Sequence, residues 1–406
     1  MAVGLTDLPV LHPIAGIHLG TATSGMGYVG RDDLAVISCD PGTVATAVFT
    51  RNRFVAAPVE VARDHLGQAS PQALLINAGN ANAGTGAEGV QAATACCEAL
   101  AGLLGCDSQE VLPFSTGVIG EPLAVDRLTQ ALPECVKNLN VSGWQAAAMA
   151  MMTTDTLAKG CSRQFDVDGI KISVTGIVKG AGMIQPNMAT MLAFIATDAP
   201  VSPTLLDALL QEGVAQSFNR ITVDGDMSTN DACVLLATGQ AGIEPISEVG
   251  GAAYEDLKNA IEGVLRDLAQ AVVRDAEGAT KFITVSVEGA EDESESVVIA
   301  YTIANSPLVK TACFASDPNW GRILAAVGRA PVAELDIHAV AIYLDDVRVV
   351  SQGCLDPDYR EQDGQAVMDK PEFEIRVVVG TGPAAVKVWT CDLSHDYIKI
   401  NAEYRS

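Results

Sequence analysis

A glycine-rich passage over residues 179–192 contains the residue types best suited to covalent chemistry. It reads Lys-Gly-Ala-Gly-Met-Ile-Gln-Pro-Asn-Met-Ala-Thr-Met-Leu and continues directly into an apolar run that ends at Ala196. Glycine and proline interrupt helices and sheet ladders, so Thr190 is predicted to lie where an irregular loop enters a buried strand. A threonine hydroxyl is a weak nucleophile and needs a base beside it.

An N-terminal threonine carries such a base, because its own α-amino group can take the hydroxyl proton. That amine has an ordinary pKa of about 7.7–8.0, close to neutral pH. Thr190 lies in the middle of the chain, so this chemistry requires the Ala189–Thr190 peptide bond to break first. The simpler alternative is a glycine-rich turn followed by a core strand.

Two further segments place small polar residues at the ends of predicted strands. A strand over 73–77 runs into a loop of small and amide residues, 77–86. With the helix that follows, this loop suits a carboxylate or oxyanion, or it is a structural turn. At Ser115-Thr116-Gly117 a strand ends in a hydroxyl beside a glycine, which suits an oxyanion hole but is also common in turns.

Five separated motifs, in the expected order, resemble those of the ornithine acetyltransferase family, the glutamate N-acetyltransferases of arginine biosynthesis. The longest is the passage 179–192, and the resemblance extends over essentially the whole chain. It implies autocatalytic cleavage between Ala189 and Thr190, after which Thr190 carries the acetyl group. It also implies that Thr116 and Gly117, in the Ser-Thr-Gly-Val-Ile segment, supply the oxyanion donors.

The resemblance further implies a set of substrate-binding residues. Glu277 would hold an amine or side-chain ammonium, and Lys179 would bind a substrate carboxylate or assist cleavage. A threonine of the 153–156 segment would contact substrate, assigned to Thr153 with Thr154 and Thr156 as alternatives. The polar C-terminal tail, which composition alone would predict to fray, would close the site. The implied residues are Thr153, Lys179, Thr190, Glu277, Asn401 and Ser406.

Composition excludes several classes of function. The 406 residues carry a net charge of −25, which disfavours binding to nucleic acid or anionic lipid. No apolar run reaches roughly 18 residues and no secretion signal is visible at the N-terminus, so we expect a cytoplasmic protein without a membrane span. The ten cysteines, mostly in apolar runs, are interpreted as buried reduced thiols.

No metal or cofactor is expected. The five histidines are scattered, and no nucleotide-binding motif is present. The acidic loop 224–231 has oxygen-bearing residues at alternate positions but lacks the glutamate that a calcium loop needs at its twelfth position. The sequence leaves open the role of this loop, and whether acetyl-CoA serves as a second acetyl donor.

The pattern of short apolar runs and amphipathic segments predicts a mixed α/β fold. The resemblance specifies an αββα sandwich of the self-cleaving type, with two lobes meeting at the site. Strands are predicted near 34–38, 44–50, 162–167, 171–178, 283–287, 340–350, 373–379 and 385–391, helices near 88–104, 125–138, 143–152, 204–217 and 253–273, an acidic loop over 289–296 and a further helix from Thr302. The expected division is chemical, into fragments 1–189 and 190–406.

The reaction implied by the resemblance is acetyl transfer from N-acetylornithine to glutamate through acetyl-Thr190, in two half-reactions. The family precedent is a heterotetramer with two copies of each fragment. One alternative is a self-cleaving amidase or aminopeptidase, in which water replaces glutamate as acceptor. A second is a non-catalytic small-molecule-binding protein, which would keep an intact chain and form no acetyl-enzyme.

Cleavage makes the first testable prediction. The mass of freshly purified protein under denaturing conditions should show two fragments that meet between Ala189 and Thr190. Thr190→Ala should give a single chain without acetyl transfer, because the nucleophile is lost. An uncut wild-type chain with full transferase activity would contradict the N-terminal threonine mechanism.

Overall fold

The computed structural model describes residues 2–28, 30–185 and 191–403, which form a mixed α/β fold. The strands are β1 (Ile17–Ala22), β2 (Leu34–Cys39), β3 (Val44–Phe49), β4 (Ala73–Asn80), β5 (Val111–Val118), β6 (Lys159–Val167), β7 (Ile170–Lys179), β8 (Leu192–Thr197), β9 (Ala232–Ala237), β10 (Phe282–Ala290), β11 (Ala341–Leu344), β12 (Val347–Ser351), β13 (Cys354–Leu355), β14 (Glu372–Val378) and β15 (Ala384–Cys391). The helices are α1 (Ala57–Gln68), α2 (Gly86–Leu104), α3 (Val125–Lys137), α4 (Trp144–Ala150), α5 (Pro203–Ala215), α6 (Ala252–Arg274), α7 (Glu293–Ala304), α8 (Pro307–Phe314), α9 (Trp320–Gly328), α10 (Glu361–Met368) and α11 (His395–Ala402).

Two sheets pack face to face in the larger part of the molecule. The first has the order β1-β2-β4-β5 and the second β3-β9-β8-β7-β6. Strand side chains alternate between faces, so each sheet sends one apolar row into the space between them. Phe114 of β5 meets Phe194 of β8 there, edge to face, with ring centroids 5.0 Å apart. The two sheets are therefore joined by a continuous apolar core.

Helices cover the outer face of each sheet. Helices α2 and α3 pack on the first sheet, and α5 and α6 pack on the second. Helix α6 shows how the sequence produces this layer, since its buried positions Leu257, Ile261, Val264, Leu268 and Val272 recur at helical spacing. The layers run helix, sheet, sheet, helix, which confirms the predicted αββα sandwich.

A third sheet forms the core of the C-terminal lobe, in the order β13-β12-β11-β14-β10-β15. Helices α7, α8, α9 and α10 supply apolar side chains to its core. The lobe is not isolated from the sandwich, because Trp389 of β15 bridges to Ile221 and packs in the core beneath α6. The chain then turns into α11, which returns towards the sandwich.

The proposed cleavage point falls, in the sequence, between two neighbouring strands of one sheet. Strands β7 and β8, on either side of residues 189 and 190, pair antiparallel with Lys179 opposite Leu192. Fragment 1–189 contributes β3, β6 and β7 to the second sheet, and fragment 190–406 contributes β8 and β9. A cut chain would consequently remain one folded unit, held by the shared sheet and core.

Several predicted elements of the C-terminal half were wrong. The acidic stretch 289–296 is not all loop, because Asp292 accepts the backbone N–H of Glu295 at 2.9 Å and starts α7 at Glu293. Acidic residues in a first turn also favour the helix dipole, which makes this helix start before Thr302. The single strand 340–350 is a hairpin, β11–β12, that turns at Asp345. No helix was predicted at α11, nor at α1 in the N-terminal half.

Most of the cysteine side chains are buried, as predicted. All ten are free thiols, of which seven are buried, while Cys106 and Cys161 are half-buried and Cys354 is exposed. The interpretation as buried thiols was therefore wrong for these three. Burial raises the pKa of Cys39 and Cys313 to about 12, so these thiols stay protonated and unreactive.

Within the described ranges, no single helix is long and apolar enough to cross a bilayer. Helices α7 and α8 reach that length and hydropathy only when taken together, with a bend of 56° between them.

Candidate active site

A cavity of about 280 Å³ opens where the ends of β5 and β7 and the beginning of β8 come together. Its wall also receives the 153–154 and 182–184 segments, the loop before β9, the turn after α6 and one residue of α11. Both sheets of the sandwich and the C-terminal tail thus contribute to one site. The predicted residues that line it are Thr116, Gly117, Thr153, Lys179, Glu277 and Asn401.

Lys179 contacts Thr116 across the gap between the two sheets. The Lys179 Nζ donates to Thr116 Oγ1 at 3.1 Å. An ammonium group has only donors, so the threonine oxygen accepts this bond and its own O–H is left to donate elsewhere. A positively charged donor also polarises the hydroxyl. The pair therefore provides a hydroxyl donor suited to a developing negative charge.

Gly117 follows Thr116 in a backbone conformation that suits glycine, with φ +137°. A Cβ built at this position would lie 2.2 Å from the carbonyl carbon of Gly79 on the neighbouring strand β4. No side chain fits, and β5 consequently approaches β4 closely at the cavity wall. This constraint explains glycine here independently of any catalytic role.

The three candidate threonines after α4 separate into two groups. Thr153 and Thr154 line the cavity. Thr156 instead hydrogen-bonds through its side chain and its backbone N–H to the carboxylate of Asp275. Thr156 is therefore engaged in structure, which leaves Thr153 and Thr154 as the candidates for substrate contact.

Glu277 lies in the turn between α6 and β10 and is only 8% exposed. Asn401 of α11 donates from Nδ2 to its Oε2 at 2.7 Å, and the Glu277 N–H donates to Ala181 O at 2.9 Å. A Cβ on Gly182 would lie 2.5 Å from the Glu277 carboxyl group, so this approach requires glycine at 182. The glycine-rich passage therefore fixes the backbone of Glu277, and α11 of the C-terminal tail binds its carboxylate.

Three predicted residues, Ala189, Thr190 and Ser406, lie outside the described residues. The segments on both sides of 186–190 are described. Upstream, Asp224 accepts the backbone N–H of Met183 at 2.7 Å and of Ile184 at 2.9 Å, and Tyr397 OH donates to the same carboxylate at 3.2 Å. The acidic loop whose role the sequence left open therefore anchors the glycine-rich passage through Asp224.

A buried charge cluster supports the site from behind. Lys159 Nζ lies 2.5 Å from Asp155 Oδ1 and 2.7 Å from Asp275 Oδ2, and all three side chains are at most 1% exposed. Asp155 also accepts the backbone N–H groups of Thr153 and Gly180. The cluster thereby ties together the threonine segment, the end of β7 and the end of α6. Its sequence signal was only the pair Asp155–Lys159 four residues apart.

Burial and neighbouring charges shift the pKa values of these groups. Burial raises the pKa of Asp155, but the attraction of Lys159 and Lys179 outweighs it, so the net pKa lies below the ordinary value. Burial lowers the pKa of the Lys179 ammonium, opposed by the nearby Asp155 carboxylate. A lysine with a lowered pKa is a typical feature of a functional site.

The amide-rich segment 77–86, predicted as a loop, is engaged mainly in structure, and its first four residues belong to β4. Asn77 Nδ2 donates to Asn80 O at 2.9 Å, and Asn82 Nδ2 donates to Gly89 O at 2.9 Å. Asn80 Nδ2 donates to the carbonyl groups of Glu121 and Pro122. Of this loop only Ala81 lines the cavity. The contacts favour the structural alternative over an anion site.

Comparison with known proteins identifies the family. A model of the ArgJ family matches residues 18–406. The chain belongs to the ArgJ family. The arginine biosynthesis bifunctional protein ArgJ of Pseudomonas syringae pv. tomato is 54% identical over 406 residues, with both chains fully covered. The ArgJ protein of Methylococcus capsulatus is 56% identical over 396 residues, which cover 98% of this chain and 97% of that protein.

A solved ArgJ structure extends the comparison to the fold. The crystal structure of the arginine biosynthesis bifunctional protein argJ from Bacillus halodurans superposes with a TM-score of 0.50 at 36% identity. The match covers 53% of this chain and 100% of that one. The predicted resemblance to the family is confirmed by these comparisons.

The charge cluster generates a prediction on stability. Lys159→Met leaves the carboxylates of Asp155 and Asp275 buried without their cation, which costs about 3–5 kcal/mol. Lys258→Met serves as the control, because Lys258 pairs with a half-exposed Glu212 at the surface and such pairs contribute about 0–1 kcal/mol. Denaturant unfolding of the two variants measures these costs, and we expect the lower midpoint for Lys159→Met. Equal midpoints would show that the cluster does not stabilise the fold.

Proposed function

We propose that this chain transfers an acetyl group from N-acetylornithine to glutamate in arginine biosynthesis, through an acetyl group on Thr190. The observation that carries the proposal is the convergence of Thr116, Gly117, Lys179 and Glu277 on one cavity. These residues come from three separate segments, namely β5, β7 and the turn after α6, and the passage that leads to Thr190 forms part of the same wall. Membership in the ArgJ family supports this choice of substrates.

Cleavage at Ala189–Thr190 comes first, because it creates the α-amine that activates the hydroxyl. The Bacillus halodurans chain is matched in full but spans 53% of this one, about 215 of 406 residues. That length is close to the 217 residues from Thr190 to Ser406, as expected for one cleavage product. The shared second sheet would keep the fragments 1–189 and 190–406 together after the cut.

In the first half-reaction the Thr190 hydroxyl attacks the acetyl carbonyl of N-acetylornithine, and its proton moves to the Thr190 α-amine. The Thr116 hydroxyl and the Gly117 backbone N–H stabilise the tetrahedral oxyanion. Collapse breaks the amide bond, and the departing α-nitrogen takes the proton from the Thr190 ammonium. Ornithine leaves and acetyl-Thr190 remains.

In the second half-reaction the glutamate α-amine attacks acetyl-Thr190, and the same donors hold the oxyanion. The ester bond breaks, a proton from the glutamate nitrogen passes through the Thr190 α-amine to the threonine oxygen, and N-acetylglutamate leaves. Both half-reactions use one oxyanion site, so one set of donors serves two substrates.

The charges at the cavity fit amino-acid substrates. Glu277 would hold an ammonium group, and the bond from Asn401 Nδ2 to Glu277 Oε2 would fix its orientation. Lys179 would bind a substrate carboxylate, and its lowered pKa also suits a proton acceptor during cleavage. Thr153 and Ser406 would complete the contacts. No metal or other cofactor is required by these steps.

Three further properties belong to the proposal. The relatives are named bifunctional, which favours acetyl-CoA as a second acetyl donor to glutamate. Two copies of each fragment would form a heterotetramer, which a native mass measurement tests. The ten free thiols support a reducing compartment, and we place the enzyme in the cytoplasm.

Acetyl transfer is tested by supplying N-acetylornithine with and without glutamate. We expect N-acetylglutamate and ornithine in equal amounts when glutamate is present, and only a single turnover of ornithine when it is absent. Continuous release of acetate without glutamate would instead identify the self-cleaving amidase. An intact chain that binds the substrates without forming acetyl-enzyme would identify a binding protein.

The oxyanion donor generates its own prediction. Thr116→Val removes the hydroxyl donor at nearly constant volume and should lower kcat about 10²–10³-fold, with a smaller change in KM. Thr94→Val is the matched control, because Thr94 Oγ1 bonds Val90 O within α2, away from the cavity. Steady-state kinetics of fully cleaved protein measure both. A Thr116→Val variant with the kcat of the control would remove Thr116 from the oxyanion site.

A further inference from the structure

One buried carboxyl group at the cavity has no part in the mechanism above. Asp231 is 3% exposed and directly precedes β9, and its backbone carbonyl accepts the N–H of Thr50 at 2.9 Å. Its Oδ2 atom has no hydrogen-bond partner within the described ranges. Buried polar atoms are nearly always partnered, so this oxygen indicates a ligand that supplies a donor.

The other charged groups of the cavity do not satisfy Asp231. Among the described residues that line it, the charged ones are Lys179, Asp231 and Glu277. The Lys179 ammonium donates to Thr116 Oγ1, and Glu277 accepts from Asn401. Burial raises the pKa of Asp231 well above its ordinary value, although the hydroxyl and backbone of Ser228 and the charge of Lys179 act in the opposite direction. A cation beside the carboxylate would offset this cost of burial.

The sheet places Asp231 at the level of Met191, at the beginning of β8. Strand β9 runs parallel to β8 with Ala232 opposite Leu192, and the Ala232 N–H donates to Met191 O at 2.9 Å. Asp231 is therefore level with Met191, the residue that follows Thr190 in the sequence. A carboxyl group at this level can reach an amine that takes part in the reaction.

We propose that Asp231 binds a protonated primary amine during acyl transfer and stabilises its positive charge. The inference rests on the proposed function. A primary ammonium carries three donors, one of which the free carboxyl oxygen accepts. Two amines have this chemistry, namely the α-amine that cleavage creates at Thr190 and the α-amine of the amino-acid substrates. The first gains charge when it takes the hydroxyl proton, and the second enters or leaves as an ammonium.

Asp231→Asn tests the proposal, because it removes the charge while keeping the shape. Asp198→Asn is the matched control, since Asp198 is a buried carboxyl that directly follows β8, accepts the Ser173 N–H at 2.9 Å and does not line the cavity. Wild-type protein is assayed first for transfer to glutamate. A wild type without that activity overturns the proposed function, whereas the comparison of the two variants decides the role of Asp231.

Two substrates distinguish the two amines. We expect Asp231→Asn to lower kcat/KM for glutamate at least 10-fold, with Asp198→Asn within twofold of wild type. The burst of p-nitrophenol from p-nitrophenyl acetate reports acetylation of Thr190 without any substrate amine. A burst slowed at least 10-fold assigns Asp231 to the chain-end amine, and an unchanged burst assigns it to the substrate amine. Asp231→Asn kinetics equal to those of the control in both assays would overturn the proposal.

A second variant decides the question if Asp231→Asn is not cleaved. Ser228→Ala keeps the carboxyl group but removes the hydroxyl that lowers its pKa. Below its pKa Asp231 is neutral and does not attract an ammonium, so the acid limb of kcat/KM for glutamate should move to higher pH. Lys179 and Glu277, which face the same cavity, are unchanged in this variant. An acid limb that coincides with that of wild type would count against Asp231.

Discussion

The site depends on how the two sheets of the sandwich are held face to face. The first sheet carries Thr116 and Gly117 at the end of β5, and the second carries Lys179 at the end of β7. The apolar core between them, with Phe114 against Phe194, fixes their separation, and the 3.1 Å bond from Lys179 to Thr116 spans the gap at the rim. Interiors pack at fixed density, so a shift of either sheet would change the donor geometry directly.

Self-cleavage places an unusual demand on such a fold, since the chain is proposed to lose a covalent bond between two neighbouring strands of its second sheet. The antiparallel pairing of β7 with β8 meets this demand, because both sides of the cut belong to one sheet. Asp224 holds the upstream side through backbone N–H groups, and the cluster of Asp155, Lys159 and Asp275 holds the end of β7. These contacts hold both flanking segments in place independently of the bond that is proposed to break.

Charge at the cavity is arranged by burial as much as by residue type. Lys179 and Asp231 are shifted towards their neutral forms, whereas Asp155 stays ionised because Lys159 faces it directly. An amino-acid substrate brings both signs of charge into this space. Its carboxylate would pair with the buried Lys179 and its ammonium group with the buried Asp231, which offsets the free-energy cost of burying these two groups.

The sequence by itself determined the family and its sandwich fold, because the passage 179–192, the Ser-Thr-Gly segment and Glu277 resemble motifs of one family in the expected order. The predicted turn at Ser-Thr-Gly was wrong, since β5 continues to Val118. Only the tertiary structure separated Thr153 and Thr154, which line the cavity, from Thr156, because Asp275 that engages Thr156 lies 119 residues away. It likewise revealed Asp155, Lys159 and Asp231, whose neighbours come from distant segments. The helix α7 begins after an N-cap at Asp292, which the sequence analysis did not recognise because the surrounding acidic residues indicated a loop. Local patterns state what a residue can do, whereas burial and long-range contacts decide what surrounds it.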